Sequence, residues 1–230
     1  MAAPTSFPSG VSTRRAPDPL ANYSHPDPTD QHRFFDDFDT YTSTSWTATV
    51  TGSGTTALTA GDGGLVVLTT SATSADNVFL QKTTEGFSFE TGKQAWFKIR
   101  LKVDALTSVI AVGLQVTDTT PLDVTDGIYF LSTVTTGAVT CLVRKNAATG
   151  SASGTGITLV ANTFTELAWY WDGKDTVNYY QDGVQKGSIT GVAASYLPDT
   201  TTTPSLAIQT STAATKALTV DYMLAAKSRR

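Results

Sequence analysis

Few of the side chains that enzymes use most are present. The 230 residues include one cysteine, two histidines and three glutamates. A single cysteine cannot form an internal disulfide. Cys141 lies in the apolar run Ala138-Val139-Thr140-Cys141-Leu142-Val143, which reads as a strand with a small buried core residue. Both histidines, His25 and His32, fall before residue 34. The expected domain after them therefore has no Ser-His-Asp or Cys-His site and no His-based zinc site. Neither a phosphate-binding loop, a dinucleotide fingerprint nor a zinc-spaced cysteine pair is present. Charged residues make up only 16%, against roughly 25% in an average globular protein. Net charge is −4, which is the wrong sign for broad nucleic-acid binding. No apolar run approaches the roughly 20 residues of a membrane span, and the N-terminus lacks the basic start and apolar stretch of a secretory signal. No window shows convincing helical periodicity.

What is abundant points to β structure. Threonine and serine replace charge as the polar surface, and β-branched threonine fits a pleated, half-exposed strand. Six of the nine prolines fall within residues 1–33. Proline fixes φ and removes a backbone donor, so this stretch reads as an extended arm. Phe7, Val11, Leu20 and Tyr23 punctuate the arm as apolar anchors, and Arg14-Arg15 adds positive charge. These six residues are the expected partner-binding set. The expected division is an arm over residues 1–33 and a β-sandwich domain over residues 34–230.

Strand patterns begin at Phe34-Phe35-Asp36-Asp37-Phe38-Asp39 and recur to the C-terminus. The clearest covers residues 96–103. Phe97, Ile99, Leu101 and Val103 alternate with Trp96, Lys98, Arg100 and Lys102, which predicts one buried face and one wet face. Residues 165–171 repeat the pattern with Leu167, Trp169 and Trp171. Asp172-Gly173 and Asp182-Gly183 then read as turns, the Asp-Gly pair being a leading hairpin signal. About 11–13 strands are expected, as in a two-sheet antiparallel jelly roll.

The run Phe164-Thr165-Glu166-Leu167-Ala168-Trp169-Tyr170-Trp171-Asp172-Gly173, followed by Tyr179-Tyr180-Gln181-Asp182-Gly183, resembles the concanavalin-like and laminin-G-like sandwich. Phe35-Asp36-Asp37-Phe38 and Val220-Asp221-Tyr222 fit the first and last strands of such domains. The resemblance implies an all-β jelly roll and says little about function. The whole chain, including the arm and the segment Leu114-Gln115-Val116-Thr117-Asp118-Thr119-Thr120-Pro121-Leu122-Asp123-Val124-Thr125-Asp126-Gly127, also resembles structural proteins of tailed bacteriophages that decorate or cement the capsid. That second resemblance implies a virion protein made in the host cytoplasm. It would be a homo-oligomer docking on the major capsid protein through its arm, with no nucleic-acid or membrane partner.

Jelly rolls of this kind include glycoside hydrolases, which need two carboxylates flanking the bond, often as Glu-x-Asp-x-x-Glu. Glu85, Glu90 and Glu166 do not fit that spacing, so no enzyme is expected. The rival to capsid decoration is a carbohydrate-binding module. Such a site places an aromatic platform beside hydrogen-bonding side chains, and Trp96 and Tyr170 fall on predicted outward faces. Asp118, Asp123 and Asp126 share one loop and are candidate Ca²⁺ ligands, since hard oxygen donors suit that ion. The competing role for these aspartates is turn capping.

Overall fold

A computed structural model describes residues 31–229, apart from residues 62, 85, 134 and 148–152. The arm residues Phe7, Val11, Arg14, Arg15, Leu20 and Tyr23 lie outside the described residues.

The chain forms two antiparallel sheets packed as a sandwich. In the first sheet, β13 (Val184–Ile189), β12 (Val177–Gln181), β11 (Thr165–Trp171), β6 (Ala95–Val103), β15 (Ala217–Ser228), β4 (Leu65–Thr69) and β3 (Thr55–Thr59) lie side by side in that order. β1 (Gln31–Asp36) also pairs with β15. The second sheet runs β10 (Ser153–Thr158), β9 (Ala138–Arg144), β8 (Gly127–Ser132), β7 (Ser108–Gln115), β14 (Thr203–Thr210), β5 (Asn77–Lys82) and β2 (Trp46–Thr51). The expected all-β jelly-roll sandwich is therefore the observed architecture.

Two details differ from expectation. The described residues hold 15 strands. β2 and β3 are threonine-rich and mostly exposed, so they lack the apolar alternation that marks a half-buried strand. The fold also starts earlier than residue 34. β1 begins at Gln31 and contains His32, whose ring packs on Phe87 at 4.5 Å between centroids. The sandwich thus does contain a histidine, and its first strand begins three residues before the expected boundary at residue 34.

Alternation places the core. Phe97, Ile99, Leu101 and Val103 of β6 point inward with Leu167, Trp169 and Trp171 of β11. Trp169 is fully buried and stacks on Phe97 with centroids 5.8 Å apart. Cys141 is buried in the same core, and burial pushes its thiol pKa up, as befits an inert packing residue. At the β12–β13 hairpin Gln181 pairs with Val184, leaving Asp182-Gly183 as a two-residue turn with φ of 51° and 76°. Both values are positive, as a type I′ turn requires. The Asp172-Gly173 connection is longer. Asp172 Oδ1 accepts the N–H groups of Lys174, Asp175 and Thr176 at 2.7, 3.0 and 3.1 Å, an Asp-capped loop.

The two outer faces differ. The second sheet's is closed: Phe79, Ala111, Tyr129 and Ala207 are buried there together with Val124, with Leu122 packed against them. The connection from β7 to β8 therefore lies across that face. The first sheet's outer face carries polar and aromatic side chains instead.

Trp169→Ala removes the largest side chain at the centre of the core. It is expected to cost about 3–5 kcal/mol of unfolding free energy, read from urea midpoints. A loss below about 1 kcal/mol would mean that Trp169 does not organise this core.

Candidate functional site

The outer face of β6, β11, β12 and β15 gathers side chains far apart in sequence. Register decides which meet. Trp96 pairs with Tyr170 on β11 and with Ala226 on β15; Lys98 pairs with Ala168 and Leu224; Arg100 pairs with Glu166 and Tyr222. Next to Tyr170, β12 contributes Asn178 and β13 contributes Ser188 in the same row.

Trp96 and Tyr170 stack, with centroids 5.8 Å apart and planes 26° from parallel. Offset stacking of this kind is favourable beyond the area it buries. Both expected platform residues thus lie on the outer face and touch. They are not equally accessible: Trp96 is 3% exposed, whereas Tyr170 is half-buried. The open surface is Tyr170, backed by Trp96. Trp46 and Tyr129, two other aromatics with platform chemistry, are buried in the core and beneath the β7–β8 connection.

Two polar groups flank the stack. On one side Asn178 Oδ1 accepts from Ser188 Oγ at 2.6 Å and from Gln185 Nε2 at 3.1 Å, and Gln185 also donates to Ser188 Oγ at 3.0 Å. On the other side Glu166 pairs with Lys98 at 2.9 Å and accepts the Tyr222 hydroxyl at 2.5 Å. Arg100 forms an ion pair with Asp221 and lies over the Phe164 ring, 4.3 Å from its centroid. Asp221 reaches Arg100 because β15 carries a bulge between Val220 and Tyr222, which adds a residue against β6. A bulge re-aims side chains in this way. Burial, then the hydrogen bond to Glu166, pushes the Tyr222 hydroxyl pKa up.

Sequence reading singled out Trp96 and Tyr170 but not Glu166, Lys98, Tyr222, Arg100, Asp221, Asn178 or Ser188 as site residues. The outward phase of β6 was the available clue. The partners of each residue come from strands whose pairing no local pattern specifies.

The aspartate loop does not form the expected ion site. Asp118 Oδ1 accepts the Thr120 N–H at 2.9 Å, the local turn contact. Asp123 pairs with Arg144 at 2.6 Å. Asp126 is buried. Among the described residues no group of three His, Cys, Asp or Glu side chains could hold a metal. Asp118 and Asp123 have separate partners, and the expected Ca²⁺ ligand set Asp118, Asp123 and Asp126 does not come together as one cluster among the described residues.

No known protein family matches the sequence, and no curated protein does. Solved structures do share the fold. A prokaryotic β-1,3-1,4-glucanase (lichenase) from a mouse hindgut metagenome superposes with a TM-score of 0.61 at 14% identity, over 84% of this chain and 98% of that one. An endo-1,3-β-glucanase from Streptomyces sioyaensis gives 0.60 at 13% identity, over 90% and 100%. The carbohydrate recognition domain of Emp47p gives 0.57 at 10% identity, over 86% and 97%. These likenesses establish the concanavalin-like jelly-roll fold. They also overturn the expectation of a non-enzyme, because glucanases share this architecture over nearly their whole length. A missing sequence motif does not set the chain apart from them.

Tyr222 gives the site a pH signature. Its folded pKa is raised above the unfolded value near 10. The folded state therefore holds this proton more tightly, and the stabilisation present below pH about 10 is lost as pH rises further. Tyr222→Phe is expected to make the alkaline fall in stability shallower by one proton's contribution. Burial also raises Tyr129 and Tyr179, so part of the fall persists. Identical alkaline slopes in denaturant titrations of the two proteins would refute this role for Tyr222.

Proposed function

We propose that the domain binds carbohydrate on the outer face of its first sheet, centred on Tyr170. The observation that carries this reading is the Trp96–Tyr170 stack set in one registered row with Asn178 and Ser188. A sugar ring has an apolar face and polar edges. An aromatic ring takes up the first, and fixed hydrogen-bonding side chains take up the second. Asn178, Ser188 and Gln185 already bond one another, so little side-chain freedom is lost on binding. A carbohydrate recognition domain and two glucanases among proteins of this fold support the reading.

Tyr170→Ala is expected to weaken glycan binding about tenfold, the loss of one aromatic contact. Ser188→Ala should weaken it less, because Gln185 still holds Asn178. A glycan array followed by calorimetry on the best ligand measures both. No saturable binding on the array, or binding indifferent to Tyr170→Ala, would end this reading.

Capsid decoration through the arm is a second reading, resting on the resemblance of the sequence to phage structural proteins. One feature of the fold is compatible with it: Phe35, in the first strand after the arm, is 57% exposed. Deletion of residues 1–30 stops short of β1 and leaves every described strand in place. The truncated protein is expected to fold and to lose cosedimentation with assembled phage shells. Unchanged cosedimentation would refute arm docking.

A further inference from the structure

The two sides of the sandwich, where the sheets end, are built differently. On one side β13 and β10 close it: Ile189 and Ile157 are buried there, and the Tyr179 hydroxyl of β12 donates to the Thr155 carbonyl of β10 at 2.9 Å. On the other side β3 ends the first sheet and β2 ends the second, and among the described residues no strand pairs with either outer edge. The core is not sealed there. Val50 lies opposite Val78 and Leu58 opposite Val66, and both partners are fully buried in the core. Residues directly opposite in an antiparallel pair project to the same side of the sheet, so Val50 and Leu58 point inward. Each is nonetheless 43% exposed.

This side also lacks the features that keep a sheet edge single. An edge strand offers a row of unpaired N–H and C=O groups, and native edges are guarded by charge, proline or a bulge. Residues 40–61 span β2 and β3 and contain no Asp, Glu, Lys, Arg, His or Pro. Neither the β2–β5 nor the β3–β4 pairing carries a register shift. β3 is the more open of the two edges: four of its five residues are exposed, whereas β2 begins at the buried Trp46. The arm is poorly suited to add a strand here. Its prolines cannot donate to a ladder, and its longest proline-free stretch, residues 9–16, carries Arg14 and Arg15. An uncharged edge, by contrast, meets no repulsion from its own copy.

We propose that β3 pairs antiparallel with β3 of a second copy of this chain about a two-fold axis, covering Leu58 and continuing the first sheet across the dimer. A strand paired with itself in this way is self-complementary, the isologous contact of a two-fold dimer. Centred on Ala57, the pairing sets that residue opposite its own counterpart in the other copy. The dimer is independent of what the outer face binds.

The full chain is followed by sedimentation equilibrium and by backbone amide exchange. A concentration-dependent dimer is expected, with a Kd of about 1–100 μM, as befits a small interface, and the amides of β3 should exchange more slowly as the dimer fills. Ala57 is exposed, so Ala57→Lys and Ala57→Glu leave the fold intact. Each places like charges directly opposite one another, which should raise the Kd about fivefold. An equimolar mixture of the two brings unlike charges together and should restore dimers of mixed composition. Deletion of residues 1–30 should leave the dimer unchanged. A monomer at every concentration up to about 1 mM, a dimer indifferent to both variants, or a mixture no tighter than either variant alone would overturn the proposal. So would loss of the dimer on deletion, which would assign the contact to the arm.

Discussion

The register of β6 against β11 and β15 is the constraint from which the rest of the structure follows. β6 lies between them, and its inward residues Phe97, Ile99, Leu101 and Val103 are at most 2% exposed. Slipping the strand by one residue would send Lys98 and Arg100 into the core and Ile99 and Leu101 to water. Burying a lone ammonium or guanidinium is prohibitive, so the apolar core locks the register. That lock sets Trp96 against Tyr170 and Arg100 against Glu166 and Tyr222. The outer face is thus arranged by packing on the opposite side of the same strand.

This division explains what was legible in the sequence. Alternation in residues 96–103 and 165–171 is local, and it announced both strands and both outward faces. Asp182-Gly183 announced a turn because few other pairs accept two positive φ values. The bulge at Asp221 left no local mark. It sits where the neighbour of β15 changes from β4, which pairs up to Val220, to β1, which pairs from Met223. The cluster of Lys98, Glu166 and Tyr222 draws on three strands, two of them more than 60 residues from the first. Those contacts become visible only when strand order is known. The threonine-rich strands β2 and β3 were missed for a different reason, since exposed residues need no apolar alternation.

The catalytic argument from sequence failed in a related way. Spacing rules test for carboxylates carried on one strand. Glu166 on β11 and Asp221 on β15 both flank Arg100 of β6, an arrangement that no spacing rule would detect. Likewise His32 counted as an arm residue until its strand was seen to pair with Lys227. A residue's chemistry belongs to the surface it is folded into, and absence of a linear motif speaks only about linear motifs.

The two sheets also divide labour through their outer faces. In the second sheet the β7–β8 connection buries Val124 against Phe79, Ala111, Tyr129 and Ala207. The centre of that face is apolar because it is covered, and Gly113 permits close approach there: a Cβ would come within 2.5 Å of Tyr129. The first sheet's outer face has the opposite composition. It holds Lys98, Arg100, Lys102, Glu166 and Asp221 in a chain where charge is otherwise sparse. Charges concentrated in this way need partners of defined position, and here each carboxylate has one: Lys98 and Tyr222 for Glu166, Arg100 for Asp221. Fixing these side chains against one another leaves a surface already ordered before any ligand arrives. Pre-organisation lowers the entropy lost on binding, so a surface fixed in this way would have little left to rearrange around the half-buried Tyr170 ring.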